Sequence, residues 1–425
     1  MKNNERSQKG RRIVGLLDIG TFKVACLIVA AGDGVPSNGA TGVPGRVIGV
    51  GHQRSRGVKA GVITNLDEAE AAVRATIAQA ERMAGVTLEE VLVSVSCGRL
   101  SSQNFAATAA VESGTVSDDD VERVLAGGRS YAEREGRTLV HLNRIGFRLD
   151  GVSGIPDPRG MAARRIAADI HAVTGDEAPI RNLLLVIERC YLNASGLIPS
   201  ALASAIAATN EEERRLGVTC IDIGGGATTL AVFAEGRFLF TDTVTVGGSH
   251  ITFDIARTLQ TPLAEAERIK ALYGTLVGAQ SDEHEAISYP LAGEDAGSMV
   301  QTTKAHLSGI VRPRFEGLLA LVRERIEKSG VAGFAGERVV LTGGASQLVG
   351  AAEFAANFLG LPVRVAKPEV ISGLPPAMSG PAFSTVVGLL SAGVMAGSEA
   401  GAYRERNHLA QGYIGRVGQW LKEGF

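Results

Sequence analysis

VTCIDIGGGATTLAVFAEGRFLFTDT, Val218 to Thr243, sets β-branched apolar runs on either side of a glycine-rich turn, Asp222-Ile223-Gly224-Gly225-Gly226-Ala227-Thr228. RIVGLLDIGTFKVACLIV, Arg12 to Val29, has the same plan around Asp18-Ile19-Gly20-Thr21-Phe22-Lys23. Glycine lets successive backbone N–H groups approach an anion with no Cβ in the way. An aspartate closing the preceding strand can hold Mg²⁺, usually through water, because that ion keeps much of its hydration shell. One such turn is equally an ordinary hairpin. Two copies in an internal pseudo-repeat predict two facing halves that clamp the phosphates of a nucleotide.

A third glycine turn follows a strand in ERVVLTGGASQLVGAAEFAANFLG, Glu337 to Gly360. There Val339 to Thr342 run into Gly343-Gly344-Ala345 and then a helical pattern, a strand–turn–helix crevice that lets backbone lie flat against a planar base. No G-x-x-x-x-G-K-[ST] stretch occurs, so this is not a Walker loop. Two runs of small residues, IPSALASAIAA (Ile198 to Ala208) and PAFSTVVGLLSAG (Pro381 to Gly393), suit helices that cross closely.

Bulk properties narrow the class. The 425 residues exceed one hydrophobic core, so at least two domains are expected. A net charge of −2 argues against a nucleic-acid binder. Four scattered cysteines, Cys26, Cys97, Cys190 and Cys220, form no C-x-x-C pair and read as reduced, cytosolic thiols without structural zinc. The apolar run ACLIVAA is too short for a signal-peptide core, and no stretch reaches the roughly 18 apolar residues of a membrane span.

The three turns, in this order, resemble those of the actin, Hsp70 and sugar-kinase superfamily of ATP-binding proteins. Asp18, Gly20, Thr21, Phe22 and Lys23 then correspond to its first phosphate loop. Asp222, Gly224, Gly225, Gly226 and Thr228 correspond to its second, and Gly343, Gly344 and Ala345 to its adenosine loop. Asp18 and Asp222 would hold Mg²⁺ through water. Glu267 and Lys270 in AEAERIK match the superfamily's ribose-contacting E-x-x-K, although alone the pair would be a surface i,i+3 salt bridge.

Strand RVIGVGHQRS (Arg46 to Ser55) is separated only by RGVKAGVITN from a helix, Leu66 to Gly85, whose Ala69, Val73, Ile77 and Ala80 recur at helical spacing. Actin and Hsp70 place a whole subdomain there. Here an extra segment follows the helix instead. It starts with EVLVSVSCGRL, holds a charged helix after Ser117 as N-cap, and continues through LVHLNRIGFRLDG and AARRIAADIHAVTG. A subdomain missing in one place and inserted in another resembles the bacterial FtsA family, as do SRGVKAGVITNLDEA, EEERRLGVTCIDIGGG and AEAERIKALYG.

The resemblance implies an α/β, actin-like two-domain ATPase fold. Its parts are a basic N-terminus (1–11), subdomain 1A (12–87, 175–209 and 376–396), an inserted subdomain 1C (88–174), subdomain 2A (210–246 and 326–375) and subdomain 2B (247–325). A flexible linker (397–408) and an amphipathic membrane-targeting helix (409–425) follow. It also implies ATP and Mg²⁺ as ligands, the FtsZ C-terminal tail as partner at 2B, filament contacts through 1C, and later division proteins. Lys304, Arg312 and Arg314 are cations that could meet an acidic peptide, or plain solvated surface. A PilM-like pilus scaffold and a small-molecule kinase of the same superfamily are the alternatives.

Two departures bear on turnover. The first connector offers only Ser200 and Ser204 as polar side chains, with no acid or amide to orient a water, so no catalytic residue is assigned and slow hydrolysis at most is expected. Phe22 puts a ring where small residues are usual, either altering the phosphate loop or serving as a core aromatic beside it.

The closing stretch, GYIGRVGQWLKEGF, places Leu409, Tyr413, Ile414, Val417, Trp420, Leu421 and Phe425 within an apolar arc of roughly 160°. Arg416 and Lys422 lie on the other side, and the charge from Ala402 onward is +2. A basic amphipathic helix with Trp and Phe suits an anionic membrane surface, so peripheral attachment to the inner face of the cell membrane at the division site is the expectation.

Overall fold

The computed structural model describes residues 12–31, 45–133, 135–293 and 299–401. The chain opens with β1 (Arg12–Ile19), β2 (Lys23–Ala31) and β3 (Gly45–Arg54), a meander of largely buried strands. A two-residue-strand hairpin, β4 (Val58–Lys59) and β5 (Val62–Ile63), leads into α1 (Leu66–Ala84), whose first turn is capped by Asn65 accepting from the Glu68 N–H at 3.2 Å. The expected face of α1, Ala69, Val73, Ile77 and Ala80, is buried.

β6 (Glu90–Val95) lies parallel to β1, as an interior strand of the first sheet. The expectation that the insertion begins at 88 is therefore corrected: EVLVSV belongs to the parent sheet, flanked on both edges by parallel strands, and the inserted unit starts beyond it. Its alternating pattern looks like a half-buried strand, but burial on both faces comes from neighbours distant in sequence.

The inserted unit holds β7 (Ser101–Ala110), α2 (Asp118–Ala132), β8 (Arg137–Leu149), β9 (Val152–Ile155) and β10 (Arg165–Asp176), in a sheet ordered β7-β10-β8-β9. Ser117 caps α2 as expected, in a reciprocal capping box with Asp120. The unit has its own core, including Val121, Leu125, Phe147, Ile166 and Ile170. Its ends meet, because the Asp176 N–H donates to the Gly98 carbonyl at 2.6 Å and Arg99 and Arg137 both bind the Asp176 carboxylate.

The chain returns through α3 (Glu177–Arg189), β11 (Asn193–Pro199) and α4 (Ser200–Ala208), which complete the first domain with sheet order β3-β2-β1-β6-β11. After α5 (Glu211–Leu216) the second domain begins with β12 (Val218–Ile223), β13 (Thr228–Ala234) and β14 (Arg237–Val244). Its outer part holds α6 (Gly248–Leu259), α7 (Leu263–Tyr273), the hairpin β15 (Ala286–Pro290) and β16 (Met299–Thr303), and α8 (Lys304–Lys328). β17 (Val339–Thr342), α9 (Ala351–Leu359) and β18 (Val363–Val365) finish the second sheet, ordered β14-β13-β12-β17-β18. The two sheets share one plan: an antiparallel three-strand meander extended by two parallel strands. The pseudo-repeat of the sequence is thus a repeat of topology.

The last described helix, α10 (Ser384–Gly401), packs on α4. A Cβ placed on Gly388 would lie 1.8 Å from the Ala203 carbonyl, so the helices meet backbone to backbone. The helix extends to Gly401, past the expected linker start at 397. The segment expected to form a membrane-targeting helix, with Tyr413, Ile414, Arg416, Val417, Trp420, Leu421, Lys422 and Phe425, falls outside the described residues, as does 1–11.

The insertion also touches the second domain. β14 runs beside β7, and Asn104 Nδ2 donates to the Leu239 carbonyl at 3.0 Å. Between them lies a buried chain of polar groups. The Thr241 N–H donates to Ser102 Oγ at 3.2 Å, Ser102 Oγ meets His171 Nε2, His171 Nδ1 lies 2.9 Å from Asn143 Oδ1, and Asn143 Nδ2 donates to the Phe238 carbonyl at 3.1 Å. His141 and His171 both stand edge-on to the Phe238 ring. Burial pushes His141 down to about 4; burial, helped by His141, pushes His171 down to about 3.

Candidate functional site

Both hairpin turns close in the same way. The Gly20 N–H donates to the Lys23 carbonyl at 3.0 Å, and the Gly224 N–H to the Ala227 carbonyl at 3.0 Å. They abut each other across the two domains. A Cβ on Gly226 would lie 2.5 Å from Thr21 Oγ1, and one on Gly225 would lie 3.0 Å from Phe22 Cβ. Thr21 Oγ1 also accepts from the Gly61 N–H at 3.1 Å, which fixes the first turn against the β4–β5 hairpin. Phe22 is 48% exposed, so its ring is no core aromatic; it borders the junction of the turns.

The second turn continues into a helix N-terminus. The Gly248 and Ser249 N–H groups donate to the Gly224 and Gly225 carbonyls at 2.9 and 2.7 Å, and Thr228 Oγ1 donates to the Val246 carbonyl at 2.8 Å. Glycine at 247 is required by this proximity, because a Cβ there would lie 2.5 Å from the Gly224 carbonyl.

The third turn closes on the second. Gly343 has φ +86°, and a Cβ there would sit 2.2 Å from Asp222 Oδ1. Ala345 is buried with its Cβ 3.0 Å from where Gly248 would carry one. Lys270 Nζ donates to the Gly248 carbonyl at 3.1 Å, to Thr252 Oγ1 at 2.8 Å and to Glu267 at 2.7 Å. Glu267 and Lys270 are thus a tied pair beside the third turn, not a loose surface bridge.

Asp18 and Asp222 end the central strands of the two sheets. Ser94 Oγ donates to Asp18 at 2.6 Å, and Thr385 Oγ1 donates to Asp222 at 3.1 Å. Burial raises both carboxyls. For Asp18, nearby Lys23 and the Ser94 hydroxyl oppose it; Asp222 is pushed up to about 6 against hydrogen bonds from Ser204 and Thr385. Lys23 Nζ donates to the Ala382 carbonyl and lies 4.6 Å from the centre of the Phe383 ring.

All fifteen residues singled out in the three turns and the E-x-x-K pair therefore gather at one locus between the domains. Ser94 and the Pro381–Phe383 turn with Thr385 are the participants that sequence reasoning passed over. Ser94 carried one signal, a hydroxyl in an otherwise apolar strand. Lys304, Arg312 and Arg314 are not free charges: Lys304 pairs with Asp282 and Glu285, Arg314 with Asp254, and Arg312 lies over the Phe354 ring.

Comparison with known proteins adds the decisive observation. The chain is 42% identical over 430 residues to the cell division protein FtsA of Agrobacterium fabrum, covering 99% of this chain and 96% of that one. The chain belongs to the FtsA family of cell division proteins. The family model described as cell division protein FtsA matches residues 219–388, and the SHS2 domain inserted in FtsA matches 97–174. The latter agrees with an insertion that starts after β6. This FtsA-family chain also shares its fold with a solved PilM–PilN type IV pilus biogenesis complex, at TM-score 0.62 and 16% identity over 90% of this chain and 98% of that one. MreB5 of Spiroplasma citri, solved bound to ADP, gives TM-score 0.52 and 14% identity over 92% and 99%. These two likenesses concern the actin-like fold alone, and FtsA membership displaces the pilus-scaffold and kinase alternatives. Among the described residues of this FtsA-family protein, no helix is long and apolar enough to cross a membrane.

Proposed function

We propose that this FtsA-family protein binds ATP with Mg²⁺ between its two hairpin turns, polymerises on the inner face of the cytoplasmic membrane and tethers the FtsZ ring there. The observation that carries the ligand reading is the pairing of like turns: two glycine cradles, each behind a strand-ending aspartate, that meet across two sheets of one topology. The donor set fits the ligand. The glycines at 225 and 226 let the second turn lie directly against Thr21 and Phe22 of the first, which brings backbone N–H groups of both turns to one place, and the recessed Asp18 and Asp222 are carboxylates that a hydrated cation would stabilise in their charged form. Bound Mg²⁺ would supply positive charge against both the phosphates and these carboxylates.

Lys23 would exchange its hold on the Ala382 carbonyl for a phosphate oxygen, while Gly343, Gly344, Ala345, Glu267 and Lys270 would take the nucleoside. α4, sequence SALASAIAA, brings no acid or amide to the junction, which supports slow turnover and a ligand that acts chiefly by stabilising one arrangement of the domains. Family membership supports FtsZ and later division proteins as partners. We assign the FtsZ tail to the outer part of the second domain, filament contacts to the inserted unit, and peripheral attachment to anionic lipid to 409–425.

The test is a melting curve of the full chain with ATP, with and without Mg²⁺, alongside Asp222→Ala. The wild type should gain a Mg²⁺-dependent shift of several degrees that the variant lacks. An equal shift in both would refute the clamp. Co-sedimentation with anionic vesicles and an FtsZ-tail peptide tests the tether: a chain that pellets neither with lipid nor with peptide does not bridge them.

A further inference from the structure

The turn that starts α10 touches all three ligand turns. Its Pro381 carbonyl accepts from the Gly343 N–H at 3.2 Å, and Ser384 Oγ lies 2.7 Å from Thr342 Oγ1, the residue before that glycine. Its Ala382 carbonyl and Phe383 ring hold Lys23 of the first turn. Thr385 Oγ1 donates to Asp222 Oδ2 at the entrance to the second. Five consecutive residues thus contact three segments far apart in sequence, and Thr385 is the one that reaches a carboxylate.

Building on the ATP and Mg²⁺ reading above, we propose that Thr385 is the positioning residue for Asp222, aiming its carboxylate at the cation. A carboxylate at a strand end can rotate about its last torsion, and its two oxygens compete for every donor nearby. A Gly343 Cβ would crowd Oδ1 at 2.2 Å, so that oxygen has backbone close against it, while Oδ2 is taken by Thr385. The hydroxyl, beside Ser204 as a second donor, therefore helps fix the plane of the carboxylate and keeps Oδ1 from swinging away. Ser94, on the strand beside β1 in the first sheet, does the same for Asp18 through its bond at 2.6 Å. Removing an outer partner that orients a metal-holding group commonly costs about 10- to 100-fold in metal affinity. Thr385 also belongs to α10, so the carboxylate is aimed by the helix that packs on α4 and leads to the C-terminal segment.

The experiment titrates Mg²⁺ against full-length protein at fixed ATP, reading the thermal shift, for wild type, Thr385→Val and Thr385→Ser. Nucleotide binding is read separately in EDTA with a fluorescent ATP analogue. Thr385→Val keeps shape and should raise the Mg²⁺ needed for half the shift roughly 10-fold while leaving the Mg²⁺-free affinity unchanged. Thr385→Ser, which keeps the hydroxyl, should restore wild-type Mg²⁺ demand. Equal Mg²⁺ demand in all three chains would overturn the assignment while the ligand reading stands. A wild type that shows no response to ATP with or without Mg²⁺ would overturn both. If Thr385→Val does not fold, Thr385→Ala takes its place in the same titration: a roughly 10-fold rise in Mg²⁺ demand supports the assignment, and wild-type demand overturns it.

Discussion

Acid should loosen the inserted unit from the second domain. At the junction, the Thr241 N–H, Ser102, His171, Asn143 and the Phe238 carbonyl form one chain of donors and acceptors. It closes when His171 is neutral with its proton on Nδ1: Nδ1–H donates to Asn143, and Nε2 accepts from the Ser102 hydroxyl. A second proton on Nε2 would face that hydroxyl and leave its hydrogen without an acceptor. The sign follows from the shifts. Both histidines fall from an ordinary 6.5, His141 to about 4 and His171 to about 3. Above pH ~6.5 docked and undocked forms are both neutral, and the histidines add nothing; below it the undocked form takes up protons that the docked form refuses, so stability drops as pH falls. From pH 7 to pH 5 each histidine accounts for ~2 kcal/mol, about 4 for the pair as a ceiling and ~2 after water penetration. Hydrogen exchange on peptides from β8, β10 and β14, corrected for the intrinsic effect of pH, should therefore accelerate roughly 30- to 1,000-fold. His171→Gln keeps hydrogen-bonding groups but cannot titrate, so about half the free energy is lost and the acceleration should fall to roughly 5- to 30-fold. Equal acceleration in wild type and variant, or none in either, would refute the reasoning.

Three further outcomes are expected. Gly226→Val drives a side chain into Thr21, which a Cβ alone would already approach to 2.5 Å, so ATP binding measured by calorimetry should weaken at least 10-fold while the far-ultraviolet spectrum is kept. Replacing 97–174 with a short glycine linker should leave ATP affinity within about 3-fold, because the unit has its own core and its ends adjoin; filaments on lipid, seen by electron microscopy, should vanish. Trp420→Glu, or truncation after Ala410, should leave melting and ATP binding intact but release the protein from anionic vesicles in co-sedimentation, and undiminished pelleting would exclude the tail as anchor.

The site was legible in the sequence to the extent that it is made of backbone. Gly224 to Gly226 and Gly343 announce themselves because a close approach forbids every other side chain, and the Asp-Ile-Gly turns repeat. Helix starts at Asn65 and Ser117 were legible for a similar reason: a cap is a local requirement, met within three residues. What escaped was long-range. β6 carries a half-exposed pattern, yet it is flanked by β1 and β11, strands that lie far from it along the chain. Ser94 and Thr385 each make one hydrogen bond to a carboxylate 76 and 163 residues away, and nothing local marks a hydroxyl for that purpose. The histidine junction is of the same kind, since its members come from β7, β8, β10 and β14. The extent of α10 escaped for the opposite reason. Its last turns are rich in glycine and alanine, a composition that serves a helix or a tether equally.

The crossing of α4 and α10 has a consequence for the work of moving the domains. Where helices interlock through side chains, a change of angle makes each one jump between rotamers against its neighbours, which creates discrete stops and friction. At Gly388 and Ala203 almost nothing protrudes to jump. The crossing can then behave as a smooth bearing, along which the two sheets rotate through a continuum of angles with little change in packing. On such a bearing the angle is chosen by whatever bridges the far ends: a ligand on one side, the inserted unit clasping β14 on the other. A protein built this way can be held by either grip and set by the balance between them.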